Sequence, residues 1–184
     1  MSGWNIIDLK EYFNHKFFYA KIPKDEIQEY GIDGIGVLKS NLTLRKKECI
    51  NGVDFGFEFG ALDNIECAGQ RIKIEKEAKG LQFFGFACWG TCQENIKIVY
   101  EDSKIEKRKL TFADWFRTAT NNYGSVIWYD DNVRTEKIVK SFGGSNPLIY
   151  FHGIRCCFEE KKKVKEIVLP DNVFIHVFAI SVVG

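Results

Sequence analysis

The sequence predicts an all-β protein: an antiparallel β-sandwich of the jelly-roll type that forms one domain over residues 1–184. Three observations support this fold class. Short segments are rich in β-branched and aromatic residues, turn residues separate them at regular spacing, and helical patterns are few. With 45% hydrophobic and 15% aromatic residues, the chain can bury a sizeable core. A closed barrel is the alternative architecture.

The strands are predicted in chain order from alternation and composition. They are Leu42–Lys47, Val53–Phe59, Arg71–Ile74, Leu81–Cys88, Ile96–Glu101, Ile105–Phe112, Val126–Tyr129, Leu148–Phe158, Val164–Leu169 and Val173–Val183. Residues Leu81–Cys88 are apolar on both faces, which predicts a central strand that is covered on each side. The two strands that flank Asp102 and Ser103 are predicted to form a hairpin.

Other segments receive different predictions. Leu9–His15 and Phe112–Thr118 are candidates for short helical turns, and the charge run Glu159–Lys165 is predicted to be a solvated loop between strands. No linker rich in serine, glycine or proline divides the chain, so a single domain is expected.

The charge balance limits the classes of partner. The chain has 26 basic and 25 acidic residues, a formal charge of +1, which argues against a nucleic-acid binder driven by bulk charge. No run approaches the roughly 18 apolar residues that a membrane helix needs.

Compartment is predicted from the N-terminus and the cysteines. The first 20 residues are mixed in character and contain no apolar core of a signal peptide, so a cytoplasmic protein is expected, or an extracellular one if the chain belongs to a larger exported protein. Reduced and mostly buried thiols are the prediction for the six cysteines. These are Cys49, Cys67, Cys88, Cys92, Cys156 and Cys157.

Several short segments occur in an order that is similar to a known family. They are Asp8–Leu9, Tyr12–Asn14, Tyr30–Gly34, Gly52–Phe55, Lys79–Gly85, Val99–Asp102, Leu110–Trp115, Ile167–Pro170 and His176–Ile180. In this order the chain resembles the galactose-binding-like jelly-roll modules that are attached to bacterial glycoside hydrolases. The resemblance extends thinly over almost the whole chain, and it implies a β-sandwich that binds carbohydrate.

A saccharide site needs aromatic rings that stack on the C–H face of a pyranose and planar polar groups that bind its hydroxyls. The segment Ala113–Arg134 is the best candidate for such a recognition loop. The predicted ligand-binding residues are Trp89, Asn121, Trp128, Tyr129 and Arg134. Trp115 is expected to be a core anchor, and adjacent Trp128 and Tyr129 should place one ring on each face of a strand.

Metal sites are the next candidates. The family resemblance implies that a structural calcium ion could be held by an early loop, and Asp33 in Tyr30–Gly36 is the matching position. The alternative is a turn in which glycines supply unusual backbone angles. Cys88 and Cys92 could supply two thiolates to zinc, which usually takes four ligands. Apart from the calcium, no cofactor is predicted.

Motifs of enzymes are absent from the sequence: there is no phosphate loop and no G-x-S-x-G. His152 and His176 lie in apolar predicted strands, where a hydrogen-bonded core histidine is expected. The first hypothesis is therefore a non-catalytic carbohydrate-binding module. The alternative is a β-sandwich for protein interaction or oligomerisation, and a small hydrolase that pairs Cys88 or Cys92 with His152 is a third reading.

Overall fold

The structure is a computed structural model that describes residues 5–21, 31–32, 34–41, 45–50, 52–115, 133–140 and 148–184. Within these ranges there are two 3₁₀ turns, Lys10–Tyr12 and Lys39–Asn41, and eleven strands. The strands are β1 (Phe18–Tyr19), β2 (Val37–Leu38), β3 (Lys47–Ile50), β4 (Val53–Gly56), β5 (Ile65–Ala68), β6 (Arg71–Ala87), β7 (Cys92–Tyr100), β8 (Ile105–Phe112), β9 (Val133–Lys140), β10 (Leu148–Val168) and β11 (Asp171–Val183).

Seven strands form one sheet in the order β5-β11-β6-β10-β7-β8, and β9 also pairs with β10. All ladders of this sheet are antiparallel. Two small sheets stand apart from it, an antiparallel hairpin of β3 and β4 and a parallel pair of β1 and β2. The all-β, mainly antiparallel fold class is confirmed, whereas the jelly-roll connection pattern stays a prediction.

The large sheet is curled, and its long strands β6 and β10 extend through the whole curl. The two ends of β10 pair with different neighbours: Leu148–Ile154 pairs with β9, and Val164–Val168 pairs with β7. A straight strand as long as β6, with its 17 residues, would span roughly 55 Å. The start of β11 nevertheless lies near both ends of β6, since Asp171 pairs with Ala68, three residues before β6 begins, and the Phe174 carbonyl accepts from the N–H of Cys88, the residue after β6 ends.

Two bulges interrupt the ladder between β6 and β10. At the first, Ile74 and Glu75 lie opposite the single residue Lys165, and Glu75 has a φ of 50°. At the second, residues 158–161 lie opposite Lys79. Because bulges bend a strand and increase its twist, they are the local cause of the curl.

Two hydrophobic cores lie on opposite faces of the central strands. The first is enclosed by the curl and contains Ile72, Leu81, Phe83, Ile98, Ile154, Ile167 and Val177 among others. The second lies between the outer face of one half of the sheet and the N-terminal segments, and includes Phe17, Phe18, Phe55, Phe84, Phe86, Trp115, Phe151 and Phe178. Every residue of 81–88 is buried, so the prediction of a strand covered on both faces is confirmed.

The sequence pattern predicted four separate strands where the structure has two continuous ones. Arg71–Ile74 and Leu81–Cys88 belong to β6 except for Cys88, and Leu148–Phe158 and Val164–Leu169 belong to β10 except for Leu169. The expected loop Glu159–Lys165 is wrong, because the charged side chains lie within β10 around its bulge, where a strand can project them into solvent without ending.

The hairpin prediction is confirmed by β7 and β8, which are joined by a turn in which Ser103 has a φ of 66°. The helical prediction for Phe112–Thr118 is wrong over its described part. Phe112 ends β8, and Asp114 forms a bridge with Ala87. Leu9–His15 contains one 3₁₀ turn, Lys10–Tyr12.

Candidate functional site

The turn between β6 and β7 presents an exposed indole. Trp89 is 74% exposed, the highest value among the large hydrophobic residues in the described ranges. Its φ is 62° and that of Gly90 is 112°. A bulky residue is rarely found in the left-handed region, where it costs about 1–3 kcal/mol. The turn therefore holds a tryptophan in a strained backbone and leaves its ring in solvent.

Backbone hydrogen bonds fix the turn at its N-terminal side. The Ala87 N–H donates to the Ala113 carbonyl at 2.8 Å, and the Trp115 N–H donates to the Ala87 carbonyl at 2.8 Å. The N–H of the next residue, Cys88, donates to the Phe174 carbonyl in β11 at 2.8 Å. These hydrogen bonds hold the end of β6 between the segment after β8 and the start of β11. Trp89 follows directly after this hydrogen-bonded end.

The start of β11 adds apolar and polar groups at the same end of the sheet. Val173 is 50% exposed and Phe174 is 46% exposed. The Asn172 amide donates to the Glu94 carboxylate at 3.0 Å, and its carbonyl oxygen accepts from the Phe174 N–H at 3.0 Å. We call Trp89, Glu94, Asn172, Val173 and Phe174 the Trp89 patch. It combines exposed apolar side chains with an ordered amide and carboxylate.

The predicted ligand-binding residues are described to different extents. Trp89 is exposed at the turn between β6 and β7, while Asn121, Trp128 and Tyr129 lie outside the described residues. Arg134 is in β9, where it is the extra residue of a bulge opposite Gly153 and Ile154. The sequence missed Val173 and Phe174, because no local signal relates the start of β11 to a turn far away in the chain.

Trp115 is a core residue, as predicted. It is 1% exposed, and its ring centroid lies 5.3 Å from that of Phe86 and 5.8 Å from that of Phe17. Trp115, near the start of the predicted recognition loop Ala113–Arg134, therefore lies in the second core, and residues 116–132 of that loop lie outside the described ranges.

The predicted calcium position, Asp33, also lies outside the described residues. Its neighbours form a tight turn in which Ile32 and Ile35 exchange two backbone hydrogen bonds of 2.9 Å. Gly31 and Gly34 have φ values of 61° and 72°, which matches the expectation of a turn that needs glycine. In the described ranges no group of three or more His, Cys, Asp or Glu side chains could hold a metal ion.

All six cysteines are described and all are free. Cys88 donates its thiol to the Phe174 carbonyl at 3.4 Å, and burial raises the pKa of the Cys92 thiol. Protonated thiols are poor zinc ligands. The expectation of mostly buried thiols is correct for Cys67, Cys88 and Cys156, but Cys49 and Cys157 are exposed.

The histidines of the predicted strands are core residues, as expected. His152 is 0% exposed, and its Nε2 atom lies 3.3 Å from the Asp114 carbonyl. His176 is 1% exposed, and its Nδ1 atom lies 2.9 Å from Oδ1 of Asn64. Burial lowers the pKa of His176 to about 3, with a smaller contribution from His15, so its imidazole is neutral at physiological pH.

A cleft of about 410 Å³ lies where the β7–β8 turn meets the second bulge of β10. Its three lysines are each paired with a carboxylate. The pairs are Lys104 with Asp102 at 3.0 Å, Lys162 with Glu106 at 3.4 Å, and Lys163 with Glu101 at 3.4 Å. The charges of this cleft are therefore largely neutralised within the protein, and the Trp89 patch remains the stronger candidate for a ligand.

No helix in the described ranges is both long enough and apolar enough to cross a membrane.

Comparison with known proteins leaves the geometry as the basis for any functional conclusion. No protein-family model matches the sequence, and no curated protein proved similar to it.

Proposed function

We propose that this protein is a non-catalytic module that binds a saccharide through the Trp89 patch. The observation that carries the proposal is Trp89 itself, which is 74% exposed and held at a φ of 62°. Folding stability favours neither property, because a buried ring and a relaxed backbone would each be more stable. A ligand that covers the indole would compensate for both the exposure of the ring and the strain of the backbone.

The patch has the chemistry that sugar recognition requires. An exposed indole offers a flat face to the C–H groups of a pyranose, while Glu94 offers carboxylate oxygens to its hydroxyls. The bond between Asn172 and Glu94 orients that carboxylate in advance. Asn121, Trp128, Tyr129 and Arg134 are further contacts that the sequence predicts for the saccharide. Asp33 is the position that the sequence predicts for a structural calcium ion.

Affinity should be modest because the patch is open to solvent. Each new hydrogen bond to a sugar replaces one to water, so its net contribution is about 0.5–1.5 kcal/mol. A cytoplasmic setting fits the six free cysteines, since free thiols persist in reducing compartments.

A glycan array followed by titration calorimetry tests the proposal, with calcium and with EDTA. We expect Trp89→Ala to weaken binding about tenfold or more, because it removes the stacking surface while leaving a buried core untouched. The matched control is Leu62→Ala, which truncates a 43% exposed side chain in the segment between β4 and β5. Binding that is equal in both variants would remove Trp89 from the site.

Self-association or protein interaction is a second candidate function, favoured by the exposed Val173 and Phe174 beside the turn. Aromatic and aliphatic side chains that are exposed together are typical of protein interfaces. Sedimentation velocity of the wild type and of Phe174→Ser distinguishes the two functions. A dimer that Phe174→Ser dissociates, together with a negative glycan array, would favour this candidate over saccharide binding.

A further inference from the structure

The outer face of the β6-β10-β7-β8 half of the sheet carries a row of aligned residues. In the ladders, Lys107 lies opposite Lys97, Lys97 lies opposite Val168, and Val168 lies opposite Arg71. Residues directly opposite each other in neighbouring strands project from the same side of a sheet. These four residues therefore cross four strands on one face.

The neighbouring row on the same face follows from the same registers. Its members are Ile105, Val99, Glu166 and Lys73, and Lys109 lies opposite Asn95 on the other side of the first row. The residues between them, Ile72, Ile98 and Ile167, point into the first core and are buried. The two rows and the Asn95–Lys109 pair thus face solvent, and we call them the basic face.

The basic face concentrates positive charge. It contains Arg71, Lys73, Lys97, Lys107 and Lys109 against one acid, Glu166, although the whole chain has a charge of only +1. Glu166 is paired with Arg71. In the part of the chain that the structure describes, Lys97, Lys107 and Lys109 have no ion-pair partner.

The pairing of Lys97 with Lys107 is unfavourable for the isolated protein, because like charges directly opposite each other destabilise a sheet. Lysines on an edge strand can prevent aggregation, and this explains Lys107 and Lys109 in β8. It does not explain Lys97, because β7 lies between β10 and β8. An anionic ligand that bridges the two ammonium groups would remove the repulsion.

The outward face of β7 connects the turn that holds Trp89 with the basic face, whereas Glu94 of the Trp89 patch lies on the other face of β7, in phase with the buried Ile96 and Ile98. From the turn that holds Trp89, the outward positions of β7 are Gln93, then Asn95, then Lys97, spaced about 6.6 Å apart. Amides that follow an exposed indole suit the hydroxyls of a sugar chain, and the lysines beyond them suit carboxylates or sulfates. The order of these groups favours an acidic saccharide over an acidic peptide or a lipid surface, for which the indole and the amides have no evident use.

We infer that the ligand of this module is an anionic polysaccharide, a chain of uronate or sulfated sugars that extends from Trp89 across Lys97 and Lys107. This inference rests on the proposed saccharide function and names the class of sugar. It assigns Trp89 to stacking, Asn95 to hydroxyl groups, and Lys97, Lys107 and Lys109 to the acidic groups.

The test is titration of the wild-type protein with polygalacturonate and with a neutral polysaccharide of similar length, at low and high salt. The test variant is Lys97→Gln/Lys107→Gln, and the matched control is Lys46→Gln/Lys79→Gln, which removes two exposed lysines that are not among the residues of the basic face. We expect the test variant to lose about tenfold or more in affinity for polygalacturonate, since two charge-assisted contacts disappear. The control variant and binding of the neutral chain should change little, and salt should weaken binding of the acidic chain.

Other outcomes separate the inference from the function on which it rests. Trp89-dependent binding of neutral chains without preference for acidic ones would overturn the inference and leave the proposed function intact. Equal binding of polyglutamate, or of vesicles that contain anionic lipid, would also overturn it, because the face would then recognise charge without sugar. Absence of binding to every glycan would overturn the proposed function together with the inference. Thermal melting of the variants shows that they are folded, and we expect Lys97→Gln/Lys107→Gln to melt no lower than the wild type.

Discussion

The imidazole of His176 in β11 donates from Nδ1 to Oδ1 of Asn64, 2.9 Å away, and so links β11 to the residue before β5. Asn64 in turn donates to Asp63 at 3.0 Å, and both oxygens of Asp63 accept backbone N–H groups, from Phe17 at 2.8 Å and Phe18 at 3.0 Å. This buried series of hydrogen bonds connects Phe17 and Phe18 of the N-terminal segment to β11 of the sheet. Burial lowers the pKa of His176 and keeps its imidazole neutral, and the pH dependence of stability follows from that shift.

Acid should destabilise the fold through His176. Its pKa is about 3 in the folded protein against 6.5 for a free histidine, so below pH 6.5 the unfolded chain binds a proton that the folded chain does not. This group removes up to about 1.4 kcal/mol per pH unit as pH falls from 6.5 towards 3. Burial raises the pKa of Asp63, which offsets part of the loss at the acidic end because the folded carboxyl is then protonated first. Urea denaturation between pH 7.5 and 4.5 measures the slope. His176→Gln should flatten it, and an unchanged slope in that variant would contradict the assignment.

Relief of strain at Trp89 should stabilise the protein while it removes ligand binding. Trp89→Asn places a residue that tolerates the left-handed region at a φ of 62°, so we expect the free energy of unfolding to rise by about 0.5–1 kcal/mol. Trp115→Ala is the contrasting variant, and should lower stability by about 3–5 kcal/mol because it leaves a cavity among Phe17 and Phe86. The denaturant midpoints of the wild type and of the two variants measure these changes in stability. A large loss of stability in Trp89→Asn would show that the indole packs against the protein.

Gly85 should be intolerant of any side chain. A Cβ there would lie 2.2 Å from the His176 carbonyl oxygen, near the end of β6, where β10 and β11 both pair with it. We expect Gly85→Ala to cost about 3 kcal/mol or more, or to prevent folding, because the obstacle is backbone. Gly69→Asn is the control, since its φ is 74° and nothing lies within 4 Å of the added Cβ. Comparable melting of the two variants would contradict the close approach of β6 and β11.

The adjacent thiols of Cys156 and Cys157 should differ in reactivity. Neighbouring residues of a strand face opposite sides, so Cys157 is exposed while Cys156 is 3% exposed and its pKa is raised to about 11 by burial. Brief alkylation of the native protein followed by peptide mass spectrometry should label Cys49 and Cys157 first. Labelling in denaturant, where all six thiols should react, is the control. Early labelling of Cys156 would mean that β10 is not in this register.

Local sequence patterns were sufficient for the parts of the fold that depend on near neighbours. The alternation in Ile96–Glu101 and Ile105–Phe112 predicted the β7–β8 hairpin, and the apolar stretch Leu81–Cys88 predicted a strand between two cores. Size and apolarity alone predicted a buried Trp115. Each of these outcomes depends on side-chain periodicity and burial, which are properties of a few consecutive residues.

The tertiary structure decided what depends on register and curvature. Two bulges keep β6 and β10 continuous where their charged residues suggested breaks, and the resulting curl brings Phe174 to the turn of Trp89. Strand pairing likewise sets Lys97 opposite Lys107 and so gives a nearly neutral chain one basic face. The sequence by itself determined that strands would form and which residues they would bury. Which distant residues share a face was decided only by the pairing, because contacts between residues far apart in the chain leave no periodic trace in a single sequence.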